Sequence, residues 1–177
     1  MSASIFETER LRLRPFTVQD EPWLFDVFAD SYTRTFYPEM NDPANVRRWI
    51  EWNLRNYEMY GYGLLALESK DTSLPIGDCG LTYQDVEGTK ELEIGYHIIF
   101  HERRKGYALE AARGALEYGF SHTARGLICS IVRRENVDSR AVASRLHSEC
   151  TEILKRGIPT LFYFTTRNEW ERRSSAI

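Results

Sequence analysis

The sequence predicts an α/β domain, and three observations carry that reading. Short apolar segments of strand period alternate with helical patterns. Their order runs strand, helix, helix, three strands, helix, strand, helix, hairpin. The chain has 177 residues, enough to bury one core without disulfides or a structural metal. A single domain over 1–177 is expected, with about 171–177 as a frayed tail.

Each element has its own signal. Arg10 to Phe16, RLRLRPF, alternates apolar and charged residues as a half-buried strand does, and Pro15 stops it. Thr17 and Asp20 form a capping-box pattern, after which Trp23, Leu24, Val27 and Phe28 recur at helical spacing to about Ala29. Asp42 and Pro43 supply the N-cap and first-turn proline of a second helix, whose Val46, Trp49, Ile50, Asn53 and Tyr57 share a face before Gly61. From Tyr62 the period shortens. YGLLALES, PIGDCGLTYQ and ELEIGYHIIF are separated by turn formers at Asp71 to Pro75 and Asp85 to Gly88, the pattern of three antiparallel strands. Ala108, Ala111, Ala112, Ala115, Leu116 and Gly119 then make a helical stripe opposite Glu110, Arg113 and Glu117. LICSIVRR reads as a buried strand, Asp138 to His147 as a helix, and CTEILKR with TLFYFTTR as a hairpin around Gly157 to Pro159. The strands number about seven.

Bulk composition narrows the class. Apolar residues make up 42% and charged residues 28%, with a formal charge of −3, which argues against nucleic acid as a partner and requires any basic site to be local. Cys79, Cys129 and Cys150 match no metal-ligand spacing and read as reduced thiols, with no metal expected. Met1 to Glu9 carries acidic residues where a signal peptide has an apolar stretch, and no apolar run approaches membrane-spanning length. A cytoplasmic protein with no membrane partner, monomer or homodimer, is expected.

One stretch points to chemistry. HERRKGYALEAARGAL, from His101 to Leu116, sets three cations, Arg103 to Lys105, against Gly106 and then begins a long helix. A solvated basic turn has this composition. So does an anion site, which combines free N–H groups at a helix N-terminus, the positive end of the helix dipole and local cations. Gly106 permits close approach of a phosphate to the backbone, and Ala108 keeps the next turn small. The stretch is neither a Walker loop nor a dinucleotide fingerprint.

EIGYHIIFHERRKGYALEAARGALEYGF, followed by RENVDSRAVASRL, resembles the GNAT superfamily of acetyl-CoA-dependent N-acetyltransferases, and within it the RimJ/RimL-type branch. ETERLRLRPFTVQDEPWLFDVFAD is similar to that branch's opening strand and helix, so the resemblance covers nearly the whole chain. It implies a mixed, mostly antiparallel sheet flanked by helices and splayed between the fourth and fifth strands, with acetyl-CoA in the splay. It also implies direct acetyl transfer to a primary amine, most simply a protein or peptide N-terminal α-amine of the ribosomal-protein type. A small amine such as a polyamine or aminoglycoside, or a non-catalytic coenzyme-binding sensor, are the alternatives. Arg103, Gly106 and Ala108 occupy the family's [QR]-x-x-G-x-[GA] loop. Ile98, Ile99, Arg104, Lys105, Tyr107, Asn136 and Arg140 are the further coenzyme-binding candidates.

The chain departs from the family pattern at three places, one of them Arg104, which stands where many family loops have a second glycine before the lysine and adds a cation facing the phosphates or the solvent. Leu146, His147 and Ser148 stand where a leucine, a glycine and an aromatic usually close the later helix. Ala143 stands where much of the superfamily has a tyrosine that protonates the departing thiolate, which leaves Ser139 as the candidate acid, as in the branch resembled. Asn136 or Asp138 is the natural N-cap of the same helix. Simple alternation along Glu91 to Phe100 puts Glu93, Gly95 and His97 on one face. Glu93 is the candidate proton acceptor and His97 the rival, either as base or as a pocket wall. Tyr37, Trp49 and Phe164 are the further candidates for the acceptor pocket.

Overall fold

The computed structural model describes residues 4–175. The chain opens with two short strands, β1 (Phe6–Glu7) and β2 (Leu11–Arg14). A 3-10 turn (Val18–Asp20) then leads into helix α1 (Glu21–Val27), followed by α2 (Ser31–Phe36), a second 3-10 turn (Pro38–Asn41) and α3 (Pro43–Tyr60). Strands β3 (Leu64–Ser69), β4 (Pro75–Val86) and β5 (Thr89–Ile98) form a meander, followed by α4 (Tyr107–His122), β6 (Leu127–Arg133) and α5 (Val137–Leu146). The chain closes with β7 (Glu149–Lys155), β8 (Ile158–Thr166) and α6 (Arg167–Ser174). All eight strands lie in one sheet, in the order β1-β2-β3-β4-β5-β6-β8-β7. Every neighbouring pair is antiparallel except β5 with β6, which is parallel.

Local chemistry explains the junctions. Asp42 caps α3 by accepting from the Ala44 N–H, and the helix ends where Gly61 turns left-handed at φ +78°. Both tight hairpins turn on two left-handed residues, Glu87 with Gly88 and Arg156 with Gly157. Positive φ at both central positions is the geometry that matches strand twist. Asp20 is buried and takes bonds from both Arg14 Nη atoms, the Thr17 N–H and the Trp23 indole, so the expected capping box is also the anchor of the first helix.

The core lies on both faces of the sheet. On one face the stripe of α4, with Ala111, Ala112, Ala115 and Phe120, packs on Leu13, Leu67, Leu81, Leu92 and Ile94. Small side chains bring the helix close to the strands. On the other face α1 and α3 cover Leu64 and Ala66 with Leu24, Phe28, Val46 and Ile50. Each fully buried aliphatic or aromatic side chain contributes about 1.5–3 kcal/mol.

Three expectations change. The sheet has eight strands, because Phe6–Glu7 adds an edge too short to show a period. The opening plan holds a third helix, α2, capped by Asp30, whose side chain accepts from the Thr33 N–H. Six residues cannot display a 3.6 period, so nothing between Ala29 and Asp42 announces it. The end expected to fray is helical through Ser174: Trp170 stacks on Phe120 at 5.2 Å and donates to Glu117. Residues 176–177 of that tail lie outside the described residues. Among the described residues, no helix is long and apolar enough to cross a membrane.

Candidate active site

The parallel pair β5 and β6 meets at one register point, Glu93 opposite Cys129, and then diverges. Side chains hold the base of the wedge: the Ile131 N–H donates to Glu93 Oε1 at 3.2 Å, and Ser130 Oγ donates to the Ile94 carbonyl at 3.0 Å. Above it opens a cavity of about 380 Å³, walled by the end of β5, the N-terminal turns of α4 and α5, and α2. Of the residues singled out in the sequence, Tyr37, His97, Ile98, Arg103, Arg104, Gly106, Tyr107, Ala108, Asn136 and Ser139 line this cavity. Glu93, Trp49, Ile99, Lys105, Arg140 and Phe164 are not among its walls. Trp49 packs behind Tyr37 and His97, Phe164 packs against Phe162, and Arg140 turns back to the Arg134 carbonyl.

One end is built for an anion. Gly106, the N-cap of α4, sits at φ +87° and places no side chain before the first-turn N–H groups, which have no intrahelical acceptors. Arg104 is also left-handed, at φ +63°, so the loop curls around the helix start. Arg10 fastens the loop from outside: it bonds Glu110 at 2.6 Å and the Lys105 carbonyl at 3.0 Å, and lies over the Tyr107 ring. The cations are already engaged. Arg104 reaches Asp138 at 2.8 Å and Lys105 reaches Glu102 at 2.9 Å, both in exposed pairs that exchange at small cost. A coenzyme pyrophosphate therefore fits this end chiefly through backbone N–H groups. Gly106→Glu would force a Cβ into the left-handed region and bring a carboxylate to the anion position. It should weaken acetyl-CoA binding by at least about tenfold, an effect of ~1.4 kcal/mol that calorimetric titration would read.

Arg103 has a different place from the one the loop pattern suggests. Its guanidinium turns inward and donates to Asp30 at 2.7 and 3.3 Å, to Thr33 Oγ1 at 2.7 Å and to the Ile98 carbonyl at 2.8 Å. Burial opposes ionisation of Asp30, but Arg103 and Thr33 outweigh it and hold the carboxyl down at about 2. The same helix α2 touches the opposite lip, where Tyr32 donates to Asn136 Oδ1 at 3.3 Å and accepts from the Asp138 N–H at 3.4 Å. It ties the α4 loop to the start of α5.

The other end gathers proton-handling groups. Asn136 is the N-cap of α5 and accepts from the Ser139 N–H at 3.1 Å, which leaves the Ser139 hydroxyl free of capping duty. That hydroxyl donates to Tyr96 Oη at 3.2 Å, and Tyr96 donates to the Ser139 carbonyl at 2.9 Å. Burial pushes the Tyr96 phenol up, so it stays protonated. Next to Tyr96 on β5, His97 Nδ1 lies 2.6 Å from Asp78 Oδ1 of β4. Burial also pushes the Glu93 carboxyl up, only partly offset by Lys155, the Ile131 N–H and His97. Sequence reasoning missed Asp78, Tyr96, Asp30 and Tyr32. The Asp78 signal was present, an acid inside an apolar strand segment, PIGDCGL.

His147, which replaces the family's glycine, points away from the cavity. Its Nε2 lies 3.1 Å from Ser130 Oγ and its Nδ1 3.0 Å from Thr165 Oγ1. Ser130 spends its own proton on the Ile94 carbonyl, so Nε2–H is the donor and Nδ1 accepts from Thr165. The neutral ring thus joins β6 and β8 to β5 where the wedge begins. Burial, with a smaller push from Arg173, brings His147 down to about 4. Because the unfolded ring binds its proton near 6.5, its contribution is complete above that pH and is lost as pH falls toward 4. The loss is about 3 kcal/mol. Urea unfolding at several pH values should show that much less acid sensitivity in His147→Gln than in the parent.

Residues 10–149 match the model of the acetyltransferase (GNAT) domain, well over half of the chain. The chain belongs to the GNAT acetyltransferase family. An uncharacterized Bacillus subtilis protein, YkkB, is 33% identical over 150 residues, covering 84% of this chain and 87% of its own length. The uncharacterized N-acetyltransferase YoaA of the same organism is 27% identical over 154 residues, covering 86% of each chain. A crystal structure of an acetyltransferase from Agrobacterium tumefaciens superposes with a TM-score of 0.79 at 27% identity, covering 93% of this chain and 95% of that one. The coenzyme A complex of RimL, the ribosomal L7/L12 α-N-protein acetyltransferase, shares the fold at a TM-score of 0.70 and 14% identity, covering 93% and 98%. Membership in the GNAT acetyltransferase family implies acetyl-CoA as the acetyl donor, a thioester that supplies both the acyl carbon and the sulfur leaving group.

Proposed function

We propose that this GNAT enzyme acetylates a primary amine at the N-terminus of a protein or peptide, in the manner of the RimJ/RimL-type branch. The observation that carries the reading is the strength of the proton acceptors at hand. A histidine lines the reaction end and a carboxyl lies behind it, side-chain types whose ordinary pKa values, near 6.5 and 4.3, make them weak bases. An α-amine of pKa near 7.8 is roughly 14% neutral at pH 7, while a lysine amine near 10.4 is neutral in about one part in 2,500. The gap is about 3.5 kcal/mol. A weak base serves the first acceptor and not the second. The Ser139 and Tyr96 hydroxyls donate to the sulfur as it departs, the role left open by Ala143.

The test is an acceptor panel with acetyl-CoA: peptides with free N-termini, the same peptides with blocked N-termini and an internal lysine, spermidine, and an aminoglycoside. Transfer to the free α-amines, with at least about tenfold lower kcat/KM on blocked peptides, is the expected result. Turnover of spermidine or the aminoglycoside with none of the free peptides would overturn it.

A further inference from the structure

We propose that Asp78 and His97 form the base of acetyl transfer, with Asp78 a positioning residue that fixes the imidazole so that its Nε2 takes the acceptor's proton. The two face each other across the β4–β5 ladder, in direct register, and their side chains meet at 2.6 Å. Asp78 is fully buried, and its second oxygen, Oδ2, has no hydrogen-bond partner among the described residues. A buried carboxylate with one oxygen unpaired is expensive to keep. The imidazole is the one side chain among the described residues that answers it.

The pairing fixes the tautomer. A carboxylate only accepts, so Nδ1 carries the proton and donates, and Nε2 keeps its lone pair. Among the described residues nothing bonds Nε2, and His97 lines the cavity. The ring cannot swing away, because Phe28, Tyr37 and Trp49 enclose it at centroid distances of 5.0, 4.8 and 5.9 Å. The titratable groups that face it are Asp78 from β4, Tyr37 from the end of α2, and Glu93 farther along β5. Phe28, which caps the C-terminus of α1, and Trp49 of α3 carry no charge. Glu93 shares the strand face with His97 but is held by the Ile131 N–H and is not among the cavity walls. Its burial also favours the neutral form, which cannot accept a proton.

The step balances. Nitrogen forms its bond to the acetyl carbon and gives one proton to His97 Nε2. The carbon–sulfur bond breaks with its electron pair on sulfur, which takes one proton from the hydroxyl pair of Ser139 and Tyr96. Exchange with water returns both groups to their starting states.

The test combines kinetics with a measurement that needs no acceptor. Asp78→Asn keeps the size of the side chain but can donate to Nδ1 and leave the proton on Nε2. With acetyl-CoA and whichever panel amine is turned over, kcat should fall by about 10²- to 10⁴-fold while KM for acetyl-CoA stays within a few-fold. His97→Ala should lose at least as much and regain part of it with added imidazole. Long-range ¹⁵N–¹H spectra of the parent enzyme should show Nδ1 protonated and Nε2 bare. An Nε2–H tautomer in the parent would overturn the proposal. So would rates in either variant that fall only with the folded fraction, or loss of the acidic limb of the pH–rate profile in Glu93→Gln while His97→Ala retains it. Failure of the free peptides in the panel leaves these outcomes readable, because the tautomer is read without any acceptor and the kinetics use whichever amine is turned over.

Discussion

Ser139→Ala should reduce kcat by about 10- to 1,000-fold while leaving acetyl-CoA affinity within a few-fold. The expectation follows from two contacts. Asn136 already caps α5 by accepting the Ser139 N–H, so removing the hydroxyl leaves the cap intact and stability nearly unchanged. The hydroxyl instead meets Tyr96 Oη at 3.2 Å, at the edge of the cavity. A thiol of ordinary pKa near 8.5 leaves more readily when a donor meets the sulfur, and Tyr96, kept protonated by burial, retains its proton to donate. Tyr96→Phe should therefore cost a similar factor. The double variant should lose little more than either single one, because the two hydroxyls act as a unit. Steady-state kinetics and thermal unfolding on the same preparations check this. A destabilised but fully active Ser139→Ala would remove the hydroxyl from the chemistry.

Breaking the Arg103–Asp30 pair should destabilise the protein by about 3 kcal/mol, since each partner left alone is a part-buried charge without its counter-ion. Arg103→Met and Asp30→Asn should each lower the midpoint of urea unfolding. The double variant should cost little beyond the larger single effect. Coenzyme affinity should fall in parallel in both, because both loosen the α2 bridge between the α4 loop and α5. A phosphate ligand behaves differently. If Arg103 gripped the coenzyme directly, Arg103→Met would abolish binding while Asp30→Asn freed the guanidinium and strengthened it. Calorimetric titration of both variants separates the two roles.

How much of this was legible in the sequence depended on the range of the interactions concerned. Strand β5, the cation–glycine loop and the α4 stripe announce themselves locally, since alternation, a glycine before a helix and four alanines at helical spacing are properties of neighbouring residues. Asn136 as a cap is likewise local. What the sequence hid is where long side chains turn. Arg103 reads as a phosphate ligand because its partner Asp30 lies 73 residues away, on a helix too short to show a period. The link between Tyr96 and Ser139, 43 residues apart, needs the end of β5 to be brought beside the first turn of α5. Simple alternation rightly put Glu93 and His97 on one face. It could not say that Ile131 would hold the first and Asp78 the second. His147 shows in the sequence only as a departure from the family pattern, and three-dimensional packing makes it a buried link at the foot of the wedge.

The most direct test of the central claim is the crystal structure of this enzyme with coenzyme A. The site described here predicts the pyrophosphate on the N–H groups of the first turn of α4 beside Gly106, the sulfur within hydrogen-bond reach of Ser139 Oγ or Tyr96 Oη, and Arg103 still paired with Asp30. A sulfur remote from both hydroxyls, or Arg103 released from Asp30 onto the phosphates, would contradict it.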